Sequence, residues 1–177
     1  GWYYSYKDKI TSVSILDGVT SVGDYSFFTW YNEYSQLQSI QLADTIKKIG
    51  EKAFYGCNQL QGKLILPSGL ERIEDGAFYS CTGLTGSLDL PEGLAYVSGF
   101  ENCKGLSGKL SFPENLTDIG NSAFSGCDGF TGALVIPESV KRIGNGAFSG
   151  CTGLLGKLTL PGGLETIGDS AFSGCHG

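Results

Sequence analysis

The chain contains no methionine and a single histidine, His176. A Ser-His-Asp mechanism needs a base held in place by a third group, and a histidine beside the last residue has no such support. Basic residues are also scarce, with 12 Lys+Arg against 18 Asp+Glu and a net charge of −6. A phosphate backbone requires a basic stripe, so nucleic-acid binding is excluded as a main role. The adjacent basic pairs Lys47-Lys48 and Lys141-Arg142 read as solvated positions. No apolar run reaches the roughly 18 residues that a membrane-spanning helix needs. Glycine-rich phrases such as Gly144-Asn145-Gly146 carry no P-loop lysine, and the paired carboxylates Glu74-Asp75 fall at an expected corner. No catalytic set, metal site or cofactor site emerges. The missing initiator methionine leads us to expect a piece of a longer protein, with Gly1 the remnant of a tag.

What is present is a repeat. The segment 66–81 (LPSGLERIEDGAFYSC) returns at 136–151 (IPESVKRIGNGAFSGC) and again at 160–175. The cysteines Cys57, Cys81, Cys103, Cys127, Cys151 and Cys175 are separated by 24, 22, 24, 24 and 24 residues. The prolines at 67, 91, 113, 137 and 161 keep the same steps. The short step arises where Val97-Ser98-Gly99-Phe100 drops two residues from the usual Ile-Gly-x-x-Ala-Phe. Seven units are marked by Phe27, Phe54, Phe78, Phe100, Phe124, Phe148 and Phe172. The first lacks proline and cysteine and gains about three residues in 30–36, and the seventh stops at Gly177, where a further strand is expected. A fixed period of this size predicts a stacked solenoid.

Within one unit, Leu134 and Ile136 alternate with Ala133 and Val135, which is strand spacing with the even positions inward. Pro137 ends that strand because it has no N–H to donate. Val140 and Ile143 form a second short extended segment. Gly144 permits a bend, Asn145 caps a single helical turn over 146–149, and Gly150 ends it. The expected architecture is a right-handed α/β superhelix of about seven repeats of about 24 residues. It has a parallel sheet on one face, with short strands and single-turn helices elsewhere. The whole of 1–177 is expected to be one domain, with 1–42 a degenerate, aromatic-rich capping unit and 43–177 regular repeats, the last incomplete.

The pattern Leu-x-Leu-Pro-x-x-Leu-x-x-Ile-Gly-x-x-Ala-Phe-x-Gly-Cys resembles the BspA-like leucine-rich repeats, and the resemblance runs from Ile10 to Cys175. It implies a bacterial, or sometimes protozoan, cell-surface or secreted protein that adheres to host extracellular proteins or to other cells. It implies no shared catalytic residues, so the chain is read as a non-enzyme.

An even number of cysteines in a secreted chain suggests disulfides. Here all six occupy one repeat position. They are expected to be a row of small buried groups, with adjacent bridges the alternative. One sulfur per repeat gives a line rather than the tetrahedron of a structural zinc site.

Candidate binding positions fall in two places. The outward strand rows read Gln41, Ile65, Asp89, Ser111, Val135, Thr159 and Ser39, Lys63, Ser87, Lys109, Ala133, Lys157. Lys63, Asp89, Lys109 and Lys157 make these rows suited to a flat or acidic partner surface, with an ordinary solvated sheet face the alternative. The first unit carries Trp30, Tyr31 and Tyr34 in its inserted segment, where aromatic faces cap the stack, stack on a sugar or grip a protein loop. The functions in contention are protein adhesion, glycan binding as an accessory module, and a passive spacer. A monomer is expected.

Overall fold

The computed structural model describes residues 9–29 and 35–176. These residues form nine strands of two or three residues each. They are β1 (Ser12–Ser14), β2 (Ser21–Val22), β3 (Ser39–Gln41), β4 (Lys48–Ile49), β5 (Arg72–Ile73), β6 (Tyr96–Val97), β7 (Asp118–Ile119), β8 (Arg142–Ile143) and β9 (Thr166–Ile167). β1 pairs only with β3, while the other seven make one parallel sheet in the order β2-β4-β5-β6-β7-β8-β9. The register never slips: Val22, Ile49, Ile73, Val97, Ile119, Ile143 and Ile167 lie side by side. Each repeat is one coil of a parallel β-solenoid.

The continuous sheet forms on the second extended segment, not on the leucine-rich segment before the proline. In that earlier segment Leu134 and Ile136 are buried and Val135 is half-exposed, as the alternation predicts. Yet beyond β1 and β3 it makes only isolated bridges, such as Gly108↔Phe130 and Gly132↔Leu154. A left-handed glycine opens each copy (Gly62, Gly86, Gly108, Gly132 and Gly156, φ 80–94°), and a proline without an N–H closes it.

No described residue is helical. The expected single-turn helix is a six-residue turn, and the fold class is therefore β rather than α/β. The cause is visible in the backbone. The residue before Ala is left-handed in Lys52, Gly76, Ser122, Gly146 and Ser170. The residue before Cys is left-handed in Gly56, Ser80, Asn102, Gly126, Gly150 and Gly174. A right-handed helix cannot contain either. The amides alternate in direction as a result. Lys52, Phe54 and Gly56 donate to Asp75, Ala77 and Tyr79 of the next coil at 3.0, 2.7 and 2.8 Å. Ala53, Tyr55 and Cys57 donate three residues back within their own turn. Half of the donors thus hold neighbouring coils together. Asn145 joins them, because its Oδ1 accepts the Asp169 N–H of the next coil at 2.8 Å instead of capping its own turn.

The core runs along the axis. Successive phenylalanine rings from Phe27 to Phe172 stack with centroids 5.1, 5.2, 5.3, 5.8, 5.6 and 5.3 Å apart. All six cysteines are unbridged. Each thiol donates to the phenylalanine carbonyl of the coil before it, from Cys57 to Phe27 at 3.2 Å through Cys175 to Phe148 at 3.1 Å. Among the described residues every buried side-chain nitrogen and oxygen has a partner, and no helix is long and apolar enough to cross a membrane.

Candidate interaction face

A sheet of two-residue strands presents one outward side chain per coil, since the other points into the core. That row reads Ser21, Lys48, Arg72, Tyr96, Asp118, Arg142 and Thr166. Between Ser21 and Thr166 at its ends, its five central side chains are charged or aromatic, unlike the mixed rows of the leucine-rich segment. The Arg72 guanidinium lies 4.5 Å from the centre of the Tyr96 ring. It also grips Glu74 through both carboxylate oxygens, at 3.0 and 3.4 Å. Lys48 reaches the same carboxylate at 3.2 Å. Burial pushes Glu74 up, but the bonds from Arg72 and Lys48 outweigh it and hold the carboxyl below its usual range. Further along, Arg142 pairs with Asp118.

These groups line an open polar cleft of about 320 Å³ bounded by Asp24, Lys48, Glu51, Arg72, Glu74, Asp75 and Tyr96. Lys52 and Tyr25 bond to Glu51 and hold its carboxyl low. The Tyr96 hydroxyl donates to Asp75 Oδ1 at 2.7 Å. Burial and the adjacent Asp75 push the Tyr96 phenol upward, so it stays protonated and donating.

Tyr96 stands in the shortened fourth coil, where the backbone shows what was lost. By register, Ser98 sits at the position of Gly50, Glu74 and Gly120, and Gly99 at the position of the alanine. The two absent residues are the corner pair that is Asp75-Gly76 in the coil before and Asn121-Ser122 in the coil after. In the intact coils the first of this pair donates its N–H to the corner side chain one coil back, as Glu51 does to Asp24 Oδ1 at 2.8 Å and Asn145 to Asn121 Oδ1 at 2.9 Å. The second donates its N–H to the corner carbonyl one coil on, as Ser122 does to Asn145 at 2.8 Å. In the fourth coil side chains make both bonds. The Tyr96 hydroxyl supplies Asp75 Oδ1, and the buried Ser98 hydroxyl supplies the Asn121 carbonyl at 3.1 Å.

Of the positions singled out from sequence, Lys63 and Asp89 form an exposed ion pair at 2.7 Å, and Lys109 and Lys157 are exposed. All four lie on the leucine-rich segment, separated from the sheet by the turn at 67–70 and its copies, so the cleft does not include them. Trp30, Tyr31 and Tyr34 lie outside the described residues. Next to that segment is an aromatic column absent from the sequence reading. Phe28 stacks on Tyr55 at 4.9 Å, and Tyr55 on Tyr79 at 4.3 Å and 4°. The same position is Glu101, Ser125, Ser149 and Ser173 in later coils. The rings spend faces on one another, which is packing of the kind that stiffens a surface.

From the sequence Lys48 reads as a solvated position and Arg72 and Tyr96 are not singled out, because the main sheet is expected on the leucine-rich segment. A signal was available. All seven inward residues of the true strands are β-branched valine or isoleucine, the side chains that favour extended backbone. The leucine-rich segment has mainly leucine there.

Axial stacking of this unit, one apolar set per coil, defines a leucine-rich-repeat solenoid. The family model described as "BspA type Leucine rich repeat region" matches residues 2–131 and 130–177 in six copies; the chain belongs to that family. A search of curated proteins finds no significant match. Among solved structures, a leucine-rich repeat protein of T. pallidum is 28% identical, with a TM-score of 0.70 over 86% of this chain and 72% of its own. A leucine-rich cell surface protein of Faecalibacterium prausnitzii is 30% identical, with a TM-score of 0.59 over 82% of this chain. A leucine-rich repeat protein of Eubacterium ventriosum, 22% identical with a TM-score of 0.71 over 94% of this chain, shares the fold. The chain spans 46% and 43% of the lengths of the last two.

Proposed function

We propose that this chain is a non-catalytic interaction module of a bacterial cell-surface or secreted protein, and that it adheres to a partner protein on a host matrix or on another cell. The observation that carries this reading is the outward row of the seven-stranded sheet, where Arg72, Tyr96 and Lys48 stand around an open polar cleft. Arginine and tyrosine dominate protein interface energetics because each offers a large, orientable contact area with a polar end. Fixed strand register holds them rigidly, so little ordering cost attends binding. The family supports a protein-binding role, and the surface location of the Faecalibacterium protein supports an extracellular setting.

A solid-phase screen of extracellular-matrix and bacterial surface proteins, run beside a glycan array, tests the proposal. The expected result is binding to a protein that weakens roughly tenfold or more in an Arg72→Ala/Arg142→Ala double variant, with Trp30→Ala and Tyr31→Ala near wild type. Binding to glycans alone, lost on Trp30→Ala, would replace this reading with a sugar-binding module. Binding to neither would leave the chain a spacer.

A further inference from the structure

We infer that the fourth coil is a hinge built into the solenoid, held shut by the side chains of Tyr96 and Ser98. In an array whose units touch only their neighbours, the weakest contact between coils decides where the array opens. Elsewhere the coils are joined at the corner by backbone bonds, which lie in a continuous ladder and break only with the coil. At the fourth coil those bonds are absent. The Gly76 N–H has no corner carbonyl opposite it, whereas its counterparts Lys52, Ser122 and Gly146 donate to Asp75, Asn145 and Asp169 at 3.0, 2.8 and 2.8 Å.

The turn bonds from Phe78 and Ser80 to the fourth coil and from Phe100 and Asn102 to the fifth remain; what replaces the missing corner bonds is two side-chain bonds, from Tyr96 to Asp75 and from Ser98 to the Asn121 carbonyl. The first lies at the surface, where water competes for both groups. The ring stack is widest here, with Phe100 and Phe124 5.8 Å apart against 5.1–5.3 Å in the coils before and 5.6 and 5.3 Å in the coils after. The sheet pairs on both sides of Tyr96 persist, so opening at this corner pivots about the sheet. Arg72, Tyr96 and Arg142 lie on that sheet, so the pivot runs along the candidate interaction face and opening tilts the coils behind it. The hinge does not depend on the proposed function.

Amide hydrogen exchange resolved by coil tests this. In a uniform array the central coil is the most protected, because the ends fray. The hinge predicts the reverse: the amides of Phe100 and Asn102, which donate across the turn to Ala123 and Ser125, exchange faster than those of Phe54 and Gly56 in the second coil and of Phe148 and Gly150 in the sixth. Tyr96→Phe and Ser98→Ala should each speed exchange in the fourth coil by about fivefold to tenfold, the effect of losing one hydrogen bond, and leave the second and sixth coils unchanged. Insertion of Asn-Gly between Ser98 and Gly99 restores the missing corner and should slow fourth-coil exchange to the level of its neighbours. This last variant decides the matter even if Ser98→Ala folds poorly. Maximal protection at the fourth coil in the wild type, no slowing on insertion, or effects of Tyr96→Phe spread evenly along the chain would overturn the inference.

Discussion

At the scale of single residues, the turn is governed by its left-handed positions. Ser170 has φ 56° and is exposed, so its side chain pays a conformational penalty without a packing return. Glycine adopts this region freely, although it loses more freedom on folding. Ser170→Gly is expected to raise stability by roughly 0.5–1 kcal/mol, read as a higher urea midpoint. Gly129 presents the opposite case. A Cβ there would run into the carbonyl oxygen of Leu106 in the preceding coil, a contact only a backbone shift can relieve. Gly129→Ala is expected to cost roughly 1–3 kcal/mol in the same measurement. Gly83, Gly105 and Gly153 make the same approach. Their counterpart in the second coil is Gln59. The repeated glycines were legible in the sequence as corners. Which of them needed a left-handed backbone and which needed only the absence of a Cβ was not. Lysine, serine and asparagine occupy some of the left-handed sites and hide the pattern, and Gly144, read as a bend, instead leaves room for the Asn121 backbone, which a Cβ there would run into.

At the scale of elements, the thiol row shows what the turn demands of its core position. The carbonyls of Phe54, Phe78, Phe100, Phe124 and Phe148 each accept the cysteine N–H of their own coil and the thiol of the next. Cysteine is small enough for the stack and still supplies a donor, which alanine or valine would not. Burial pushes the Cys57, Cys103 and Cys151 thiols up to about 12, and Cys81 and Cys127 well above the usual thiol value. The sign follows from the proton count. The folded chain keeps these protons after the unfolded chain has begun to lose them near pH 9, so their contribution is complete below that pH and is lost between about 9 and 12. Each thiol adds a slope of up to about 1.4 kcal/mol per pH unit. With reductant present, the urea midpoint should therefore fall steeply above pH 9, and less steeply in a Cys103→Ala/Cys127→Ala variant. A midpoint that stays level from pH 8 to 10.5 would contradict this account. The equal spacing of the cysteines showed from sequence that they share one place in the stack. Their hydrogen bonds were not visible, because the acceptors lie about a full repeat away.

At the scale of the whole molecule, a one-dimensional array should distribute the effect of damage by distance along the axis rather than through a common centre. The sequence made the array legible through its cysteine and proline register, and burial followed it closely. The position of the sheet and the nature of the turn were less legible, because both depend on hydrogen bonds between coils, whereas periodicity reports only which side chains face inward. The candidate face followed the sheet and was missed with it. The consequence for energetics can be measured. Phe54 and Phe78 stack at 5.2 Å in adjacent coils, whereas Phe54 and Phe148 belong to coils joined only through β5, β6 and β7. Replacing Phe54 and Phe78 together by leucine should show a coupling energy of about 0.5–3 kcal/mol in a double-mutant cycle, as contacting residues do. The pair Phe54→Leu and Phe148→Leu should be additive to within about 0.5 kcal/mol. Equal coupling in the two pairs would mean that the core relaxes as one body. The coil would then not be the unit of stability, whatever its regularity in sequence.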